Sequence, residues 1–195
     1  MVGPFDTNHA GTPLDPQERE GLIPTHVTTR EQLNELEGKN ILVALNWAFK
    51  RKRKIADEAF LLGLHRRVLG KVWRWAGTYR TSERNLGVAP HLVQVDLRAL
   101  VDNVRYWIEF KSFAPDEIAV RFHHGLVLVH PFANGNGRWS RLAADILIVQ
   151  LGGERFSWGG GADLQKLSQA RDHYIAALKN ADRHDFGPLS KFARS

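Results

Sequence analysis

The chain has 195 residues, 43% hydrophobic and 25% charged, which suits one globular domain with an extension and excludes global disorder. With no cysteine it has no disulfide, no thiolate chemistry and no cysteine-held zinc, and no run of ~18 apolar residues is present to cross a membrane. The net charge of +6 admits polyanionic partners such as a nucleotide, and the start MVGPFDTNHAGTPLDPQ lacks the basic and apolar parts of a signal peptide, so a cytoplasmic location is expected. Residues 1–27, with Pro4, Pro13, Pro16 and Pro24, read as an irregular arm, and 28–195 as the folded domain. Thr28 or Thr29 caps a helix over about 29–48, with Leu33, Leu36, Ile41, Leu45 and Ala48 inward and Gly38 as an interruption.

The five cations Lys50–Lys54 read as a solvated face or helix end, so direct nucleic-acid binding is not expected. A helix over about 55–70 turns Phe60, Leu61, Leu64 and Val68 inward. Between Trp73 and Val95, short β-prone stretches broken by Gly77, Gly87 and Pro90 predict a small hairpin or ordered flap. Helices resume over about 96–110, with Leu97, Leu100, Val101, Val104 and Ile108 on one stripe. Another starts at Pro115, with Ile118, Phe122, Leu126 and Val129 inward. The next runs from about Arg138 to Leu151, stopped by Gly152-Gly153, and the last over about 162–180 precedes DFGPLSKFA. The fold class is all-α with one hairpin. The six tryptophans read as core and flap packing, and His123 and His124 as satisfied or exposed side chains without a metal.

The chemistry is concentrated in His130-Pro131-Phe132-Ala133-Asn134-Gly135-Asn136-Gly137-Arg138-Trp139-Ser140-Arg141, which joins two periodic helices. Gly135 and Gly137 let backbone N–H groups approach an anion at a helix N-terminus. Arg138 and Arg141, three apart, can reach phosphate oxygens from one side. His130 supplies a side chain that titrates near neutrality, so the segment reads as a phosphate cradle with a candidate general base at its rim.

At these residues the chain resembles the Fic family, whose signature is H-P-F-x-(D/E)-G-N-G-R-x-x-R, agreeing at eleven of twelve positions with the free ones counted. Trp75-Ala76-Gly77 with Tyr79-Arg80 resembles the segment before the family's flap, and Tyr174, Ala177, Leu178, Asp185, Pro188, Leu189 and Phe192 its closing helix. The stretch from Thr12 to Thr29 resembles a subgroup called mobile mystery protein B. The resemblance implies a helical Fic fold with a hairpin flap beside the active-site loop, and transfer of AMP from ATP to a Tyr, Thr or Ser hydroxyl of a target protein. His130 would take the hydroxyl proton. Gly135 and Gly137 would hold the β-phosphate region, Asn136 the α-phosphate, and Arg138 and Arg141 the outer phosphates. Phe132 would anchor the loop, and Thr81, Ser82, Leu86, Gly87 and Val88 would dock the target segment. The acidic position that usually binds Mg2+ is Asn134 here, which puts the metal in question. A catalytically weak nucleotide-binding regulator is the alternative. Gly137 stands where a branch that moves the γ-phosphate has lysine. Leu36-Glu37-Gly38 resembles the end of an inhibitory motif, so the helix over about 29–48 would be inhibitory, with Glu37 paired to Arg141. The subgroup resemblance adds an antitoxin-like DNA-binding partner.

Overall fold

The computed structural model describes residues 16–50, 54–161, 164 and 168–195. Among them the chain forms α1 (Pro16–Arg19), α2 (Arg30–Phe49), α3 (Glu58–Leu69), α4 (Val93–Glu109), α5 (Pro115–Val129), α6 (Asn136–Gln150), α7 (Gln169–Ala181) and α8 (Gly187–Arg194). The antiparallel pair α5 and α6 forms the centre. Helix α4 packs on α5, α3 and α2 lie against α6, and α7 and α8 close the far side through α8 on α5. Phe122, Leu126, Phe132, Trp139, Ile146 and Leu147 fill the space between these layers.

Local chemistry explains where the helices begin. The Thr29 hydroxyl accepts from the Gln32 N–H, and the Gln32 side chain accepts from the Thr29 N–H, a reciprocal cap that fixes the start of α2. Asp57 caps α3 by accepting from the Phe60 N–H at 2.8 Å, and Pro115 opens α5 where its missing N–H costs nothing.

Three expectations change. Helix α2 runs through Gly38 without a break, because the ~1 kcal/mol that a glycine inside a helix costs is offset by the Thr29 cap and the burial of Leu33, Ala44 and Ala48. Its buried stripe is Leu33, Glu37, Asn40, Ala44 and Ala48, while Leu36, Ile41 and Leu45 are only half-buried. Two polar residues in the stripe shifted the apparent apolar phase by one position. The tail DFGPLSKFA contains a further helix, α8, which buries Leu189 and Ala193.

The hairpin is also corrected. Residues 81–88 form an irregular loop with no strand, followed by a short 3-10 turn at Pro90–Leu92. The carbonyls that a partner strand would take are bound instead by the Arg80 guanidinium. The one isolated β-bridge among the described residues joins Leu22 to Trp73, where the arm crosses the segment before the flap. There Trp73 and Trp75 stack with centroids 5.0 Å apart, and the Trp75 indole donates to the Glu18 carbonyl at 3.0 Å. Residues 1–15 of the expected arm, and 51–53 of the basic run, lie outside the described residues.

Candidate active site

Helix α5 ends at His130, whose left-handed backbone (φ +48°) turns the chain out of the helix while its N–H still bonds the Leu126 carbonyl. The loop that follows is held from inside. The Asn136 amide accepts from the Phe132 N–H at 3.0 Å and donates to the Phe132 carbonyl at 2.8 Å, stapling the start of α6 to the middle of the loop. Gly135 sits at φ +79°, and a Cβ there would come within 2.5 Å of Leu69 Cδ1, so both conformation and space demand glycine. The first N–H groups of α6, from Asn136 to Arg138, thus lie at a fixed helix N-terminus, the arrangement in which backbone donors can meet an anion.

A buried histidine that the sequence reading passed over supports this loop. His65 on α3 stacks on Phe132 with centroids 3.6 Å apart. Its Nδ1 accepts from the Gly77 N–H at 2.9 Å, which makes Nε2 the protonated nitrogen, donating to the Asn134 carbonyl at 3.0 Å. Burial, with the Arg138 charge adding to it, lowers its pKa to about 3, so the ring is a neutral strut between the loop and the Trp75-Ala76-Gly77 turn. Its sequence signal was a lone histidine on the apolar face of α3.

The two loop arginines diverge. Arg138 donates to the Glu37 carboxylate at 2.6 Å, and the other Glu37 oxygen accepts from the Trp73 indole at 2.7 Å. Glu37 is only 3% exposed. The expected pairing with Arg141 is therefore corrected: α2 presents Glu37 to the first turn of α6, whereas Arg141, a turn later, leans over the Tyr174 ring of α7 at 5.7 Å. The Tyr174 hydroxyl in turn lies 2.9 Å from His123 Nε2. One Glu37 oxygen takes Arg138 Nη1 as a phosphate oxygen could, since carboxylate and phosphate oxygens are alike as acceptors from a guanidinium.

His130 is 7% exposed, and neither of its ring nitrogens makes a hydrogen bond among the described residues. Burial depresses its pKa to about 4, with the charges of Arg80 and Arg84 adding to the effect and the Val127 carbonyl opposing it. The ring is thus a neutral acceptor at physiological pH. The flap lies directly on it. A Cβ at Gly87 (φ +98°) would fall 2.5 Å from His130 Cβ. Arg80 Nε donates to the His130 carbonyl at 2.6 Å, Nη1 to the Ser82 carbonyl at 3.0 Å, and Nη2 to the Val88 carbonyl. Glu18 ties the arm to the flap through Arg84 and the Ser82 hydroxyl. Of the expected docking residues, Gly87 faces His130, Ser82 and Val88 are bound through their carbonyls, and Thr81 and Leu86 are exposed.

The magnesium expectation meets an unfavourable donor set. Asn134 Oδ1 accepts from the Gly135 N–H at 2.6 Å, and the Glu37 carboxylate is bound by Arg138 and Trp73. Among the described residues no three His, Asp or Glu side chains converge as metal ligands. Mg2+ prefers charged oxygens in octahedral array, so these residues do not by themselves make its site. His123 Nε2 lies 2.9 Å from the Tyr174 hydroxyl and His124 Nε2 2.8 Å from the Asp182 carboxylate, while the buried His123 Nδ1 has no hydrogen-bond partner among the described residues.

Three buried histidines make stability depend on pH. His65 and His123 at about 3 and His130 at about 4 stay neutral in the fold below pH 6.5, where the unfolded chain binds their protons. Their contribution is complete above pH 6.5 and is lost as the pH falls towards the folded values. Asp145, raised to about 6 by burial, acts oppositely between its folded and ordinary values and cancels about one proton. Near pH 5 these four groups should lower stability by roughly 2–3 kcal/mol per pH unit. Denaturant unfolding at pH 5, 6 and 7 checks this, and equal midpoints would show that the three rings are not buried as described.

The Fic/DOC family model matches residues 55–148, which include His65, Arg80, the flap and the whole His130–Arg141 loop. Glu37 precedes the matched segment. Protein adenylyltransferase fic-1 of Caenorhabditis elegans is 38% identical over 140 residues, covering 68% of this chain and 25% of the relative. Protein adenylyltransferase Fic of Aedes aegypti is 33% identical over 167 residues, covering 83% of this chain and 32% of the relative. The solved structure of a C. elegans Fic-1 fragment superposes with a TM-score of 0.63 at 29% identity, covering 90% of this chain and 50% of that one. The chain spans about a quarter to a third of the length of these curated relatives. With the loop, its supporting helices and the fold all in agreement, the chain carries a Fic/DOC family domain.

Proposed function

We propose that this protein is an adenylyltransferase that moves AMP from ATP to a Tyr, Thr or Ser hydroxyl of a target protein, and that its own Glu37 restrains it. The observation that carries the reading is a rigid helix-end anion cradle flanked by a neutral buried histidine on one side and by an arginine held by an internal carboxylate on the other. The relatives' adenylyltransferase names support the same reaction.

In the step itself, the target oxygen attacks the α-phosphorus as its proton passes to His130. The new bond is oxygen to Pα, the bond from Pα to the bridging α–β oxygen breaks, and pyrophosphate leaves. The N–H groups of Asn136, Gly137 and Arg138, with the Arg138 guanidinium once Glu37 withdraws, spread the developing charge. Asn136 donates one amide hydrogen to Phe132, which leaves its second for the α-phosphate. Arg141 reaches the outer phosphates by leaving the Tyr174 ring. A magnesium ion, if the reaction uses one, would come held by the nucleotide's own phosphates rather than by Asn134.

A second reading, a nucleotide-binding regulator with little transfer, draws on Asn134, whose side-chain oxygen is turned onto the loop. Transfer from α-labelled and γ-labelled ATP, with and without magnesium, separates the two. Label from the α-position alone, absent in His130→Ala, supports adenylylation. ATP binding without transfer by either label, even in Glu37→Gly, supports the regulator and sinks the transferase. We further propose a cytoplasmic protein of the mobile mystery protein B subgroup with an antitoxin-like DNA-binding partner, on the resemblance of Thr12–Thr29. Low-salt purification of the tagged chain from its source cells tests this, and recovery of no DNA-binding protein counts against it.

A further inference from the structure

We propose that Arg80 is a positioning residue that sets the height of the flap above His130, and with it the distance from a docked target hydroxyl to the base. The assignment rests on the reading of His130 as the base and of the flap as the target's docking edge.

Arg80 is 4% exposed, yet the hydrogen bonds of its guanidinium go to carbonyls of the backbone. One belongs to the catalytic loop, at His130, and two to the opposite ends of the flap, at Ser82 and Val88. The Arg80 N–H adds a fourth link, to the Pro131 carbonyl at 2.9 Å. Burying a guanidinium among neutral carbonyls is costly, and burial does lower its pKa. An aliphatic side chain there would leave all three carbonyls without these donors, so what the guanidinium supplies is their common geometry. A planar fork with five donors can hold three carbonyls in one plane at fixed spacing, and lysine's single ammonium cannot.

Gly87 shows how tight the setting is. A Cβ there would meet His130 Cβ at 2.5 Å and Arg80 Nη2 at 2.8 Å, so flap, base and clamp are in mutual contact. The neighbouring Leu86 is 54% exposed, and the flap backbone between Ser82 and Val88, whose own carbonyls Arg80 occupies, is the part left to meet a target segment. An error of about 1 Å between reacting atoms is enough to cost 10²-fold in rate.

The test uses Glu37→Gly as parent, with Arg80→Lys and Gly87→Ala built on it. The second variant presses the flap away from both His130 and Arg80 Nη2 while keeping the Arg80 side chain, and covers the case in which Arg80→Lys fails to fold. Three readouts are taken: the Kd for ATP, hydrogen exchange of the amides of residues 81–88, and AMP transfer to the chain itself and to the proteins of a cell lysate. Expected for Arg80→Lys are an ATP Kd within twofold of the parent, exchange at 81–88 at least tenfold faster, and transfer at least tenfold lower. Gly87→Ala should show the same split. A purely structural role would instead weaken ATP binding in step with transfer, and that result overturns the assignment. Unchanged flap exchange and transfer in a folded Arg80→Lys protein overturns it equally. If the parent transfers no AMP, the transferase reading falls before any Arg80 substitution is compared, and the assignment falls with it.

Discussion

Glu37→Gly should raise both ATP affinity and AMP transfer at least tenfold while lowering thermal stability. Arg138 holds the Glu37 carboxylate at 2.6 Å in a nearly closed site, and a nucleotide phosphate must displace that carboxylate to use the same fork. Each tenfold gain in affinity is ~1.4 kcal/mol. Losing Glu37 also leaves Arg138 without its carboxylate, a loss that costs the fold ~3–5 kcal/mol where such a charge is buried, and the stability cost has further sources. The Trp73 indole loses its 2.7 Å partner, worth about 1–3 kcal/mol when left buried and unpaired, and glycine inside α2 costs about 1 kcal/mol. Glu37→Gln keeps an acceptor for Trp73 and removes the charge from Arg138. It should therefore gain affinity with less loss of melting temperature. Titration of ATP into the three proteins, beside thermal melts, checks both parts. Equal ATP affinity in all three would mean that Arg138 does not meet the nucleotide.

His130→Ala should cut transfer by ~10²–10⁴, the usual worth of a positioned base, and leave the Kd for ATP within a few-fold. The basis is local. The cradle is built by Phe132, Gly135, Asn136 and His65, none of which hydrogen bonds to the His130 ring. The pH profile gives a sharper check. With burial and the Arg80 and Arg84 charges holding the ring near 4, the base form persists through pH 6–8, and transfer should not fall around pH 6.5 as it would for an ordinary histidine. An acid limb centred near 6.5, or ATP affinity lost together with transfer, would show that the ring does other work. Because these measurements are made in Glu37→Gly, they also separate loss of the base from restraint by α2.

Much of this site was readable along the chain because its parts are contiguous. His130, the two glycines and the two arginines lie within twelve residues on a loop between two periodic helices, and such spacing constrains geometry directly. Helix positions followed in the same way from Pro115, the Thr29 cap and Gly152, which act through bonds only a few residues long. Residues 81–88 form an irregular loop where the sequence pattern predicts a hairpin. Nothing local shows that an arginine just before it will take the carbonyls a second strand would otherwise bind.

The remaining decisions were made by residues distant in sequence. Whether Glu37 meets Arg138 or Arg141 depends on the angle at which α2 crosses the end of α6, across 101 residues of chain, and no periodicity encodes that angle. The polar stripe of α2 was hidden for the same reason, since burying Glu37 is favourable only when Trp73 and Arg138 are already in place. His65 carries no local signal of its role, which comes from Gly77 and Asn134 on either side of its ring. The sequence alone determined which chemical groups the loop would carry and the turn that displays them, because both are set by bonds within a few residues. The packing of helices decided which of those groups are held back, supported or covered, because a buried charge takes its meaning from the partner that the fold brings to it.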